Sequence, residues 1–523
     1  MPTENEADVL IIGCGIAGST AALILAEAGA SVTVVTRALA PEESNTLYAQ
    51  GGIIYRGEQD SPALLAEDIR RAGAGHCSPK MVDILAQEGP ELVTRLLIDG
   101  ANVQFDRREP TGELSLVREG GHSLPRIIHA ADATGKAIEL ALIQKLQAHP
   151  NARLLTGHTA IDLLTPSHHS LNRLAVYEPR ACVGAYLFNQ QSGGVARCLA
   201  KTTILATGGL GQIFLRTSNP VGSRGDGLAM ANRAGARIIN AEFVQFHPTT
   251  FYHPQAPRFL ISEAVRGAGA RLVHENGAPF MPKYAPEWKD LAPRDIVARA
   301  IHQEMLERDL PSVFLDLRSY IPAQRIREHF PTILETCRQY GIDITQDLVP
   351  VVPAAHYSCG GVWVDEWART SIGNLYAVGE VACTGIHGAN RLASTSLLEG
   401  VVWGNRAAQQ ILRDLPELTI PRRDDIPEWR DDSEFPPDPA LIGQDMSNIK
   451  HVMWNYVGLI RASHRLKRAI RELQHLEIEI EHFYRISKLS DSLLGLRNAA
   501  RTALLVTHAA WENTQSMGCH YRE

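Results

Sequence analysis

Near the start of the chain, Gly13-Cys-Gly15-Ile-Ala-Gly18 has the residue types and spacing to hold a pyrophosphate. Small residues let the backbone come close to the phosphates, and a helix starting there offers them free N–H groups. The motif alone is weak evidence, but its flanks strengthen it. Residues 7–12 form an apolar run suited to a buried parallel strand, and residues 19–28 follow with a helical pattern rich in Ala and Leu. Gly29 is placed to close that helix in a left-handed conformation, and residues 31–36 read as a second strand. Strand, glycine turn, helix and strand within about 30 residues make a dinucleotide-binding unit. One usual group is missing. Thr36-Arg37 stand where an acidic residue commonly ends the second strand and bonds a ribose. Glu42 and Glu43 come too late to replace it, so another group, or water, must hold the ribose.

The elements that position this chemistry are spread along the chain. Its 42 glycines cluster again at Ala206-Thr-Gly-Gly209, Gly225-Asp-Gly227, Gly360-Gly361, Gly379-Glu380 and Gly385-Ile-His-Gly388. Two of these clusters follow strand-like runs, at 203–206 and 374–378, as turns returning to one nucleotide site would. Residues 241–353 read as an inserted mixed domain with a helix over 295–308. From 414 to 440 prolines interleave with charges, which disfavours helix and predicts an extended connector. Beyond it Ile449, Val452, Met453, Tyr456, Leu459 and Ile460 recur at helical spacing, and the pattern continues through 466–484 and 493–511. The expected architecture is α/β. A Rossmann-like nucleotide-binding domain (1–240 with 354–413) carries the inserted α+β capping domain (241–353), and a linker (414–440) leads to a helical carboxy-terminal domain (441–523).

Composition narrows the function classes. The 523 residues have room for two to four domains, and 45% hydrophobic with 21% charged residues is ordinary for a globular protein. A net charge of −7 without basic blocks gives no footprint for nucleic acid or an anionic membrane. No apolar run approaches the roughly 20 residues of a membrane-spanning helix. The polar start, Met1 to Glu6, lacks the features of a signal peptide. The eight cysteines are scattered, with no CxxC pair and no histidine at metal-ligand spacing, so reduced thiols, a cytoplasmic location and no metal are expected.

Longer motifs carry a resemblance. Tyr48-Ala-Gln-Gly-Gly52, Arg118-Glu-Gly-Gly-His-Ser123, Gln245-Phe-His-Pro-Thr249, Ala292-Pro-Arg-Asp-Ile-Val-Ala-Arg299 and the stretch from Gly385 through Ala393 to Glu399 are similar to those of one flavoprotein family. That family unites L-aspartate oxidases with succinate dehydrogenase and fumarate reductase subunits, and the chain resembles its aspartate-oxidising branch over almost its whole length. The resemblance implies FAD rather than NAD. Gly13, Gly15 and Gly18 would meet the pyrophosphate, and Glu380 a ribityl hydroxyl. The stretch 44–52, with Asn45, Thr46, Gln50, Gly51 and Gly52, would line the isoalloxazine together with Ser394, Ser396 and Leu397. Arg37, Gly208 and Asp226 complete the implied cofactor set. Membrane-associated relatives carry a flavin-bonding histidine in the 44–52 stretch. Here Asn45 stands in its place, which implies non-covalent FAD.

The resemblance also implies the substrate residues. A dicarboxylate carries two charges whose desolvation demands fixed donors, and His247, Ser262, His356 and Arg391 match the carboxylate-binding positions. Ser262 replaces a threonine there but keeps its hydroxyl. Arg294 matches an arginine that transfers a proton, with Glu263 and Arg266, spaced i, i+3, as its relay. Succinate-oxidising relatives have a bulky apolar residue at the position of Glu119. A carboxylate there suits the ammonium of an amino dicarboxylate and penalises succinate. His122 and Ser123 follow in a loop expected to close over the substrate.

The implied reaction is FAD-dependent oxidation of L-aspartate to 2-iminosuccinate. Electrons would pass to O2, giving H2O2, or to fumarate, giving succinate. In the family this is the first step of de novo NAD biosynthesis, with quinolinate synthase as a functional partner. The alternative is a soluble fumarate reductase or succinate dehydrogenase flavoprotein, against which Glu119 and Asn45 speak. A flavin-binding protein without turnover would not need Glu119, His247, Arg294, His356 and Arg391 together.

Overall fold

The computed structural model describes residues 6–256, 259–433 and 435–523. Its main sheet has seven strands. Ala152–Leu155, Val32–Val35, Glu6–Ile12 and Val195–Leu205 lie side by side in parallel, and Leu375–Ala377 also pairs parallel with Val195–Leu205. Gly184–Asn189 and His158–Leu163 extend the sheet antiparallel. Val9, Leu10 and Ile11 are wholly buried, as a parallel strand covered on both faces requires.

The first helix runs Ile16–Glu27 and so begins directly at the glycine turn, three residues before the sequence pattern suggests. It is buried on nearly every side, between the sheet and the helix Thr395–Asp414. Two glycines let these helices touch. A Cβ at Gly404 would lie 2.7 Å from the Ala17 carbonyl oxygen, and one at Gly400 would lie 2.9 Å from the Ile16 side chain. This contact brings Ser396 and Leu397, in the first turn of the later helix, to the wall of the cavity that also holds Gly13 and Gly15.

The inserted segment folds on a second sheet, in the order Val244–Phe251, Val349–Ser358, Val313–Asp316, Arg271–Val273, all antiparallel. The helix Arg294–Glu307 packs across Val244–Phe251. Residue 353, the expected domain limit, lies inside the strand Val349–Ser358, which runs on unbroken. That strand therefore delivers His356 beside His247 of its neighbour.

Three helices, Pro439–Val457, Ser463–Ile486 and Asp491–Glu512, form the carboxy-terminal part. The first ends at Val457 with Gly458 as its cap, so Leu459 and Ile460 lie beyond it despite their helical spacing. Their core is continuous with that of the main sheet, from Leu10 and Leu205 through Leu228 to Leu493 and Val506. The expected connector is pinned to the sheet. Ile426 is buried, Tyr186 Oη donates to the Pro427 carbonyl at 2.7 Å, and Leu171 N to the Asp425 carbonyl at 2.9 Å. Among the described residues, no helix is long and apolar enough to cross a membrane.

Candidate active site

One cavity of about 910 Å³ runs from the glycine turn to the two histidines. At the turn the three glycines have different duties. Gly13 (φ +110°) and Gly18 are demanded by packing: a Cβ on either would lie 2.1 Å from a carbonyl oxygen, of Ala206 and Gly13 respectively. Gly18 lets the helix lie on the turn. Gly15 faces the cavity, where a Cβ would meet first the Thr46 hydroxyl at 3.2 Å. Thr46 Oγ1 accepts from Ile16 N at 3.1 Å, and the helix has no side-chain cap and no acidic residue in its first turn. Its amino terminus is open to an anion.

Farther along lie Arg37, Asn45, Gln50, Gly51, Gly52, Gly208, Asp226, Glu380, Ser394, Ser396 and Leu397, all on the wall. Gly208 needs its left-handed backbone (φ +74°). Glu380 accepts from Ser358 N at 2.9 Å and from Asn45 Nδ2 at 3.1 Å. Burial pushes its carboxyl up to about 7, against the opposing pull of those bonds and of Arg391. Asn45 Oδ1 in turn accepts from Asn219 Nδ2 at 3.3 Å.

The other end is built from donors. Thr249 N–H donates to His247 Nδ1 at 3.2 Å, which assigns the proton to Nε2, a buried atom without a partner. The His356 ring stands 5.2 Å from it, edge to face, with Nδ1 2.8 Å from Ser218 Oγ. Burial first, then the neighbouring arginines, holds both imidazoles well below the ordinary histidine range. Arg391 lies over the Tyr357 ring at 4.6 Å; its Nε has no partner, and its Nη1 bonds are long, 3.4 and 3.5 Å. A buried cation so poorly matched has donors to spare for an anion. Ser262 caps the short helix Glu263–Gly267 and also faces the cavity.

Arg294 begins its helix after Pro293. It donates through Nε to Glu263 Oε2 at 2.6 Å and through Nη1 to Gln245 Oε1 at 3.2 Å. Burial pushes the Glu263 carboxyl up, but Arg294 and Arg266 outweigh it and hold the group below its ordinary value. Arg266 stands 4.0 Å behind Glu263, wholly buried and off the wall. Burial lowers its guanidinium, and Arg294 lowers it further against the pull of Glu263. Glu119 enters from a loop, its Oε2 accepting from Ser394 Oγ at 2.6 Å. The next residue must be glycine, since a Cβ at Gly120 would lie 2.0 Å from Glu263 Oε1. His122 and Ser123 are off the wall and anchor the loop: His122 bonds the Ala393 carbonyl at 3.0 Å, and Ser123 bonds Asp68 twice at 2.8 Å.

Comparison with known proteins decides the family. The FAD binding domain family matches residues 8–397, and the fumarate reductase flavoprotein C-terminal family matches 446–523. An L-aspartate oxidase of Ralstonia nicotianae is 45% identical over 98% of this chain and 94% of its own. One from Pseudomonas aeruginosa is 43% identical over 100% and 96%. The FrdA chain of an E. coli quinol fumarate reductase variant superposes with a TM-score of 0.87 at 27% identity, covering 99% of this chain and 91% of that one. The chain belongs to the L-aspartate oxidase family of FAD-binding flavoproteins.

FAD is thus the cofactor, and the cavity fits it. Buried polar atoms of wall residues have no protein partner, among them Arg37 Nε, Gln50 Oε1, Thr207 Oγ1 and Asn219 Oδ1. A long ligand with phosphates near Gly15 and hydroxyls toward Glu380 would supply what they lack. The sequence reading of this L-aspartate oxidase relative missed Gln245. Its Nε2 donates to Asn390 Oδ1 at 2.7 Å and to the Arg391 carbonyl at 2.9 Å, while its Oε1 holds Arg294. One buried amide therefore ties both arginines of the site. A signal existed: Gln245 precedes His247 by two, the spacing that puts strand residues on one face.

Proposed function

We propose that this chain oxidises L-aspartate to 2-iminosuccinate, with O2 or fumarate as the electron acceptor. The observation that supports this most is the sign of the pocket. Donors without partners, His247 Nε2 and Arg391 Nε, converge where a dicarboxylate's charges would lie, while Glu119 adds one carboxylate beside Ser394. An ammonium accounts for that carboxylate; succinate has none. Arg391, with His247, His356 and Ser262, would hold the carboxylates and so fix the α-carbon. Glu119 would orient the amino nitrogen. Arg294, clamped by Glu263 and Gln245, would move the proton, with Arg266 sustaining the ionised state of Glu263. FAD supplies the acceptor for the substrate's hydride and hands the electrons on. Asn45, whose side-chain amide is hydrogen-bonded to Glu380 and Asn219, offers no nucleophile for a covalent flavin link.

The reading places the chain at the first step of de novo NAD biosynthesis in the cytoplasm, with quinolinate synthase consuming the unstable imine. A fumarate reductase or succinate dehydrogenase role is favoured by likenesses such as that to the E. coli chain, at 27% identity against 45% for the Ralstonia L-aspartate oxidase. Anaerobic mixing separates the two. L-aspartate should bleach the visible flavin absorbance and succinate should not; a flavin untouched by aspartate sinks the proposal.

A further inference from the structure

We propose that the carboxy-terminal helical part secures the adenosine end of FAD, with Asp491 as a positioning residue that acts through Arg37. Asp491 opens the helix Asp491–Glu512, just after the cap Ser490. Its Oδ2 accepts from Arg37 Nη1 and from Arg224 Nη1, each at 2.9 Å. Its Oδ1 accepts from Thr159 Oγ1 at 2.7 Å and from Arg224 Nη2 at 3.1 Å. One carboxylate thus gathers three separate segments of the nucleotide-binding domain. Asn498, on the same helix, adds a fourth tie by donating to Asp226 Oδ1 at 2.9 Å.

The gathered residues face the cofactor. Arg37, Thr159 and Asp226 lie on the cavity wall, and Asp491 stands behind them. Arg37 follows the strand Val32–Val35 at the place where such folds meet the adenosine ribose, usually with an acidic residue. This chain has none there, which leaves the ribose without its usual partner. Arg37 supplies one. Its Nε is buried without a partner, and an N–H donor serves a ribose hydroxyl oxygen. Because a guanidinium is a rigid plane, fixing Nη1 on Asp491 fixes the direction of Nε. The missing ribose carboxylate and the carboxylate at Asp491 are therefore one substitution in physical terms: the acid has moved behind an arginine.

The test is titration of the apoprotein with FAD and, separately, with FMN, which lacks the adenosine half. Asp491→Asn should raise the Kd for FAD about tenfold and leave that for FMN unchanged. Arg37→Ala should cost the same factor for FAD, and the double variant no more than either alone, since both remove one linked contact. Arg37→Ala leaves the bonds of Asp491 to Arg224 and Thr159 in place, so it tests the proposal even if Asp491→Asn fails to fold. Wild-type FAD affinity in Arg37→Ala overturns it, as does equal loss of FAD and FMN, or additive losses in the double variant. No measurement uses aspartate, so failure of the catalytic reading would show separately.

Discussion

Glu119 and Ser394 meet across the cavity, the carboxylate accepting the serine hydroxyl at 2.6 Å. Ser394 sits in left-handed backbone (φ +57°) as the cap of Thr395–Asp414, so a rigid element holds it. The bond fixes one oxygen of Glu119 and leaves the other facing Gly51, where a Cβ would lie 2.7 Å away. Replacing Glu119 with Gln keeps the shape and a hydrogen-bond acceptor but removes the charge. KM for L-aspartate should rise about tenfold, some 1.4 kcal/mol, while fumarate reduction changes far less. Equal losses with both substrates would refute a counter-charge role.

Arg294→Leu addresses the proton path. Turnover should fall by about a thousandfold, the order a positioned acid–base group contributes. FAD should stay bound, because Arg294 touches the cavity only at its substrate end. The variant strands buried Glu263 with Arg266 at 4.0 Å as its nearest cation, and should lose about 3 kcal/mol of stability in urea unfolding. A variant that sheds its flavin would make the residue structural instead.

How much of this was legible in the sequence depends on the range of each constraint. The glycine turn and its flanking strands were, because Gly13 and Gly29 answer to local backbone geometry that spacing records. The polar set of the pocket was legible only through long motifs, since nothing local says that His247 and His356 share a sheet. What escaped is contact between distant segments. Gly18 keeps its small size for the Gly13 carbonyl, a packing need that its place in the motif does not reveal. Arg37 and Asp491 lie 454 residues apart, and no periodicity links them. The connector escaped as well: its prolines disfavour a long helix, but they do not reveal that Ile426 packs under the sheet's edge.

The link between protein and flavin gives a direct test of Asn45. Acid precipitation should release all of the flavin into the supernatant, and a denaturing gel should show no fluorescent protein band. An amide carrying bonds to Glu380 and Asn219 has no lone-pair nitrogen with which to form the link. Flavin retained on the denatured chain would refute this.

Buried histidines set the acid limit of stability. His247 and His356 are held well below the ordinary histidine value of 6.5, first by burial and then by nearby arginines, and His520 is pushed down to about 4 by burial and Arg461. In each case the folded value is depressed, so above pH 6.5 neither state takes up a proton and the stability is fully present. As pH falls below that value the unfolded chain binds protons that the folded chain refuses, and stability is lost until the folded value is reached. Each such group contributes about 1.4 kcal/mol per pH unit inside its window. Glu380 and Glu139, buried carboxyls pushed up to about 7 and about 8, take up protons in the fold as pH falls and oppose this loss, so the histidine contribution is read from a variant rather than from the wild-type curve. In urea unfolding, His520→Gln should reduce the slope of that loss by about one proton, because Arg461 then faces a group that does not titrate. A slope in His520→Gln equal to that of the wild type between about pH 6.5 and 4.5 would show that His520 takes up its proton in the fold.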